Sequence, residues 1–505
     1  MSRAKNATAR PVLQPGSRGW GGYGTGYASY IQAPDFYRGT TAQVCGLYPW
    51  SVGTGAPMVG VPLGRHEYSG ATVCCDPISW FQEAKLISTP SVFVLGLPAR
   101  GKSTLVRRMV AGLAGFGTNP IVLGDLKPDY VDLVQAMGGQ VIPLGRGRGS
   151  LNVLDPGEAV EAAAQLRAAG HDKLAGELLA DARSRRLTMV AALITILRKS
   201  PPTDREETII ERALSVLDER HDGVPVLADL LQVIREAPDD VRAVALDRGD
   251  MSRYLEITEH LEASLVGLVT GGRLGDTFSR QTTMPMRRDR PVVYDVSGID
   301  HSNKDLQAAA LMACWAAGFG TVTVAHALAD AGLEPRRHYL VVLDELWRAL
   351  RAGPGIVDRV DALTRLDRQQ GVGTVMVSHT MTDLVALPSE EDRHKAAGFV
   401  ERAGMVICAG LPAAEMPRLT AAVPMSEREQ ALLQGWSSPA TFDPRTGQEA
   451  EPPGRGRFLI KVGGRPGIPV RVHLTEAERK TSDTNKLWHE VSRITAPAAV
   501  GQEEL

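Results

Sequence analysis

The stretch SVFVLGLPARGKSTLVRRMVAGL, residues Ser91–Leu113, decides the reading of the chain. It opens on an apolar, β-prone run, Ser91–Leu95, and closes on a helical run. Between them Gly96, Gly101, Lys102 and Ser103 fill the spacing G-x-x-x-x-G-K-[ST]. Glycines at this spacing let the backbone curl until successive amides point inward at phosphate oxygens. The helix that starts there adds the positive end of its dipole. An ammonium at Lys102 is placed to neutralise β- and γ-phosphates, the Ser103 hydroxyl to ligate magnesium, and Thr104 to touch the α-phosphate. The stretch predicts ATP with Mg2+, held by Gly96, Leu97, Pro98, Ala99, Arg100, Gly101, Lys102, Ser103 and Thr104.

Outward from this stretch, two later strands end in residues suited to the same chemistry. In YLVVLDELWRAL an apolar strand, Tyr339–Leu343, runs directly into Asp344 and Glu345. Asp344 suits a metal held through water, and Glu345 suits the polarisation of an attacking water. A helix start also favours acids for dipole reasons alone. GTVMVSH ends a third strand in Ser378, His379 and Thr380, where a polar side chain, His379 first, can sense a γ-phosphate or orient water. LTRLDRQQG carries Arg365 and Arg368 one helical turn apart. Arg368 is the candidate for an arginine reaching a neighbouring subunit's ATP, set against the plain reading of a solvated helix face. GDLKPDY, Gly124–Tyr130, brings Asp125 near the nucleotide, and GSLNVLDP, Gly149–Pro156, puts Asn152 and Asp155 in a tight turn; both read equally well as structural loops.

Nearly continuous apolar runs recur at Ser91–Leu95, Pro120–Gly124, Gln140–Leu144, Pro291–Asp295, Tyr339–Leu343, Gly373–Val377 and Met405–Ala409. Runs without polar alternation belong to strands buried on both faces, so the expected class is α/β with a mostly parallel central sheet. From Pro156 to about Gly271 the pattern turns helical. Thr203 and Glu206 form a capping box ahead of an apolar face of Ile209, Ile210, Ala213, Leu214 and Leu217. Phe458–Val462 and Ile468–Leu474 read as a β-hairpin. The expected organisation is a Gly/Arg/Tyr-rich arm (1–45), a small β-rich region (46–90), an ATPase core in two parts (91–156 and 272–490), an all-helical insertion between them (157–271) and an unstructured tail (491–505).

The 505 residues exceed one ordinary core, and a formal net charge of -2 gives no global reason to expect nucleic acid. Five scattered cysteines (Cys45, Cys74, Cys75, Cys314, Cys408) fit a reducing cytoplasm better than a disulfide framework. MSRAKNATARPVLQPGSRGWGG has no apolar core of signal-peptide length, so export is not expected. Ala308–Ala325 runs 18 residues without a charge, but it is Ala- and Gly-rich and flanked by Asp305 and His326. The expectation is a buried helix followed by a looser turn, not a membrane span.

Taken in order, GVPLGRH, the P-loop, LGDLKPDY, GGQVIPLGRGRGSLNVLDP, RPVVYDVSGID, LDELWRAL, VMVSH and TSDTNKLWHE resemble the conjugation and type IV secretion ATPases of the TraC class, within the HerA/FtsK superfamily of P-loop ring motors. The resemblance spans roughly residues 46–490. It implies a RecA-like P-loop NTPase sheet, with Lys102 and Ser103 as the Walker A residues and Asp344 and Glu345 as the Walker B pair. His379 stands where the family usually carries glutamine. The implied partners are further copies of the chain in a hexameric ring and membrane-embedded secretion channel proteins, with DNA as an additional candidate. The implied location is the cytoplasm, including the inner face of the cell membrane. Two functions stand open: a motor or assembly ATPase of a conjugative (type IV-like) secretion system, and a HerA/FtsK-type translocase acting directly on DNA. Basic loops reaching a pore separate them, and RGRG (Arg146–Gly149) and MRRDR (Met286–Arg290) are the candidates. A nucleotide-gated binding protein has no need of a base at Glu345, and a small-molecule kinase fits the long Lys102-to-Asp344 interval poorly.

Overall fold

Strands with no polar side to offer water must be covered on both faces, and the chain achieves this with one large sheet. The computed structural model describes residues 57–270, 274, 277–300, 302–364, 371–387, 389–440, 442–443, 448–449 and 451–481, all within one compact unit, Gly53–Leu505. The arm at 1–45, Arg365, Arg368 and the tail at 491–505 lie outside the described residues. The strands are β1 (Pro62–His66), β2 (Thr72–Cys74), β3 (Ser91–Leu95), β4 (Asn119–Asp125), β5 (Gln140–Pro143), β6 (Val292–Asp295), β7 (Tyr339–Leu343), β8 (Val372–Val377), β9 (Met405–Cys408), β10 (Phe442–Asp443), β11 (Gln448–Glu449), β12 (Arg457–Lys461) and β13 (Ile468–Arg471). Eleven of them form one sheet in the order β2-β1-β13-β12-β9-β3-β8-β7-β4-β6-β5, while β10 and β11 pair separately.

The seven strands from β9 to β5 are mutually parallel. The hairpin β12–β13 then joins β9 antiparallel, and β1 joins β13. The β-rich stretch ahead of the P-loop therefore forms the edge of the main sheet. Side-chain alternation splits each central strand between two layers. Val92 and Val94 of β3 pack with Leu105, Met109 and Leu113 of the helix Lys102–Gly115. Phe93 and Leu95 face the opposite, larger helical layer.

That larger layer contains six helices, Ala159–Ala168, Asp172–Arg198, Asp204–Arg220, Leu227–Glu236, Asp239–Ala245 and Met251–Val269, inserted between β5 and β6. The Thr203–Glu206 capping box forms, and Ile209, Ile210, Ala213, Leu214 and Leu217 are all buried. The insertion shares its core with the sheet through the helix Lys304–Asp330. This helix is the one among the described residues long and apolar enough to cross a membrane, but most of its apolar stretch is buried in the protein. Trp315 Nε1 donates to the Leu123 carbonyl at 2.8 Å, and a Cβ on Gly318 would fall 2.3 Å from Leu123 Cδ2, so glycine is what lets helix and sheet touch. The looser turn expected near residue 320 is absent: the helix continues, with Thr321 and Thr323 donating back to the Ala317 and Phe319 carbonyls. Those hydroxyls satisfy themselves on the helix's own backbone, so polar residues there do not end it.

Candidate active site

β3, β8, β7 and β4 lie side by side and parallel, so the loops after them open at one end of the sheet. Crevices at the carboxyl ends of parallel strands are where open α/β sheets bind ligands. The loop after β3 curls through left-handed positions at Ala99 (φ 60°) and Gly101 (φ 94°). At Gly96 the constraint is space, because a Cβ there would lie 2.5 Å from the Ala409 Cβ. The helix Lys102–Gly115 begins with no side chain capping it, leaving its first-turn N–H groups open to an anion.

Not every residue of this loop can offer an amide. The Gly96 N–H donates to the His379 carbonyl (2.9 Å) and the Leu97 N–H to the Gly410 carbonyl (3.1 Å). Pro98 has no N–H. These three shape the cradle, and the amides from Ala99 onward are left to face a phosphate. The Arg100 side chain turns away as well: its Nη2 donates to the carbonyls of Ser437 (2.7 Å) and Ser438 (3.0 Å).

The charged groups converge across this cradle. Lys102 Nζ donates to the carbonyls of Gly96 (2.6 Å) and Leu97 (3.1 Å) and lies 3.2 Å from His379 Nδ1. Burial brings its ammonium down to about 8, against the attraction of Asp344 and Glu345. His379 Nε2 lies 3.4 Å from Glu345 Oε2. An ammonium can only donate, so Nδ1 accepts and Nε2 carries the proton, the neutral tautomer. Burial and the Lys102 charge both hold the imidazole below its ordinary value, in agreement. His379 thus bridges the lysine of one strand end to the acid of another.

Glu345 adopts a left-handed backbone (φ 54°) at the start of the helix Leu346–Leu350, a strained conformation of the kind found at functional sites. Burial raises its carboxyl, but Lys127, His379 and Arg348 outweigh burial and leave it below the ordinary value. Asp344 is partly buried: it accepts from the Tyr130 hydroxyl at 3.2 Å and from the Glu345 N–H at 2.8 Å. Burial, then the Glu345 charge, pushes it up to about 6. A side-chain hydrogen bond joins Ser103 to Asp129, whose carboxyl burial also raises. A cation placed beside these carboxyls would favour their ionised forms. Among the described residues no three His, Cys, Asp or Glu side chains form a self-sufficient metal site. Ser103 and Asp344 therefore fit Mg2+ only if phosphate oxygens and water complete its shell, the way this hard cation is commonly held.

The loop after β4 contributes more than its sequence suggested. Asp125, pushed up to about 7 by burial, accepts from the amides of Asp129 (3.0 Å) and Tyr130 (2.7 Å) and so builds the loop. Lys127, Asp129 and Tyr130 are the residues that reach the site, and Trp347 joins them from the other side, its Nε1 2.6 Å from Glu345 Oε2. Polar residues following a strand beside a P-loop were the available signal for the first three. Asn152 and Asp155 bond to their own turn and to Pro225 and Thr282, which makes them structural. Most arginines of the two basic loops are paired with acids: Arg148 with Asp295 (2.6 Å), Arg287 and Arg290 both with Asp289, and Arg288 with Glu158 and Glu334, while Arg146 is exposed.

No family model matches the chain, and no curated protein does. Among solved structures, VirB4 of Thermoanaerobacter pseudethanolicus superposes with a TM-score of 0.59 at 16% identity, over 85% of this chain and 100% of that one. The plasmid coupling protein TrwB in complex with ADP and Mg2+ aligns with a TM-score of 0.47 at 12% identity, over 84% of this chain and 97% of TrwB. With its P-loop on β3 and its acidic pair after β7 in a mostly parallel sheet, the chain has the RecA-like P-loop NTPase fold and shares its architecture with VirB4.

Proposed function

We propose that this chain hydrolyses ATP to drive a conjugative, type IV-like secretion system, as its motor or its assembly ATPase. The observation that carries the reading is the meeting of Lys102, His379, Glu345 and Asp344 at the carboxyl ends of adjacent strands, beside an uncapped helix N-terminus. In this reading Lys102 leaves its loop carbonyls for the β- and γ-phosphates, and the amides of residues 99–104 orient the chain of phosphates. Ser103 and Asp344 would hold a magnesium ion, which would supply charge neutralisation for the phosphates. Glu345 takes the proton of the attacking water, and His379 positions Glu345 relative to Lys102. The fold shared with VirB4 supports the secretion context.

A translocase that grips DNA by its own basic loops is the less favoured reading, because the arginines of MRRDR and Arg148 of RGRG are already paired with acids. Assembly as a hexameric ring, docking on channel proteins at the cytoplasmic face of a membrane, and Arg368 acting on a neighbour's ATP complete the proposal. The test is an ATPase assay with and without DNA, joined to the particle mass in ATP. Magnesium-dependent turnover that is lost in Lys102→Ala and indifferent to DNA is expected. Strong, salt-sensitive stimulation by DNA moves the assignment to the translocase.

A further inference from the structure

Glu345, the base in the proposed reaction, has a donor on each of its oxygens. Its Oε1 accepts from Lys127 Nζ at 2.9 Å, and its Oε2 accepts from Trp347 Nε1 at 2.6 Å with His379 Nε2 at 3.4 Å. A carboxylate that holds an ammonium on one oxygen and further donors on the other is a weak base toward water until the charged partner leaves. The three partners differ in their freedom to do so. Trp347 is flanked by the guanidinium groups of Arg348 and Arg351, each 4.8 Å from its ring centre. His379 is tied at its other nitrogen to Lys102. The Lys127 side chain is 52% exposed, and it is a long stem on a rigid base. Asp125 accepts two amides of the same loop, and Arg107 donates to the Asp129 carbonyl. Lys127 and Lys102 meet on the same carboxylate, Lys127 directly at Oε1 and Lys102 through His379 at Oε2, so Lys127 borders the cradle that Lys102 closes.

We infer that Lys127 is a switch that clamps Glu345 while the site is empty and passes to the γ-phosphate when ATP binds, freeing Oε1 for the attacking water. The inference rests on the ATPase reading above. A terminal phosphate carries more charge than a carboxylate already shared among three donors, so it wins the ammonium. ADP brings no such charge and leaves the clamp closed. Lys127 therefore carries much of the discrimination between triphosphate and diphosphate, a property that a merely structural lysine lacks.

The experiment measures equilibrium binding of a non-hydrolysable ATP analogue and of ADP, with Mg2+, to the full chain and to its Lys127→Met and Lys127→Arg variants. Lys127→Met is expected to weaken the analogue about tenfold or more and ADP by less than about twofold, the loss of one charged hydrogen bond to one ligand only. Lys127→Arg is expected to keep most of the preference. Glu345→Gln loosens the clamp and is expected to tighten analogue binding when Lys127 is present but not in Lys127→Met. An analogue-to-ADP ratio that stays at its starting value in Lys127→Met, whether both ligands bind or both weaken, overturns the switch. If the unaltered chain binds neither nucleotide, the ATPase reading itself fails.

Discussion

Lys102 is a buried cation that borrows two carbonyls of its own loop, and burial has already brought it down to about 8. A phosphate is the partner such a group lacks, so Lys102→Ala should abolish ATP binding as read by calorimetry. Glu345→Gln should bind ATP yet slow turnover about 10²–10⁴-fold, the usual worth of a general base; near-normal turnover would remove Glu345 from that role. Asp344 permits a sharper prediction, because its proposed role and its stability pull in opposite directions. In the folded chain it keeps its proton up to about 6, against 3.8 for the ordinary group. Between those values the folded state holds more protons than the unfolded one, so this group adds stability as pH falls through the window and costs stability above it. Asp344→Asn should therefore stabilise the nucleotide-free protein at pH 8 by on the order of 2 kcal/mol. The gain should vanish below about pH 4, where both forms are neutral. Magnesium-dependent ATP binding should be lost in the same variant. Thermal melting at both pH values decides it, and an unchanged midpoint at pH 8 would mean that Asp344 is solvated.

At the scale of elements, the P-loop is coupled to a distant piece of the chain. The helix Glu427–Ser437 presents its last carbonyls to Arg100, while its first turn is built on a capping box between Ser426 and Glu429. Glu429 also pairs with Lys461 of β12 at 3.0 Å and accepts from the Gly467 N–H, so one carboxylate joins helix and hairpin. Lys461 is only 2% exposed. Removing the partner of a buried charge costs about 3–5 kcal/mol, and Glu429→Ala should lower stability by that order in a urea titration. Adding Lys461→Met should restore part of the loss, since the unpaired charge goes with it. No recovery in the double variant would show that the cap, not the ion pair, carries the effect. The elements themselves were largely legible: the strands at Ser91–Leu95 and Tyr339–Leu343 lie where their apolar runs put them, because burial on both faces writes itself directly into residue type. The helix Lys304–Asp330 outlasted its expected end because its threonines bond back to its own carbonyls and Gly318 serves close packing on Leu123, which periodicity cannot distinguish from a turn.

For the whole molecule, strand order is what assembles the site. β3, β8 and β7 are neighbours in space although the chain runs through β4, β5, the six-helix insertion and β6 between the first and the third. If the assembled state is a ring with Arg368 serving a neighbour's nucleotide, mixing Arg368→Ala with Glu345→Gln subunits should recover some ATPase activity at hybrid interfaces. Absence of recovery at every mixing ratio would confine catalysis to one chain.

Local geometry was readable from the residues alone: the curled loop at Gly96–Ser103, the buried strands and the Thr203–Glu206 cap depend on neighbours a few positions apart. Which loop reaches which depends on strand order, and no local pattern encodes that. Asp125 drew attention by position, yet it is Lys127 and Trp347 that meet on Glu345, and Arg288 finds its counter-charge on Glu158 from the far side of the insertion. Electrostatic partners are chosen by distance in space, so the state of Glu345 and the pairing of Arg148 and Arg288 were settled only by the tertiary structure.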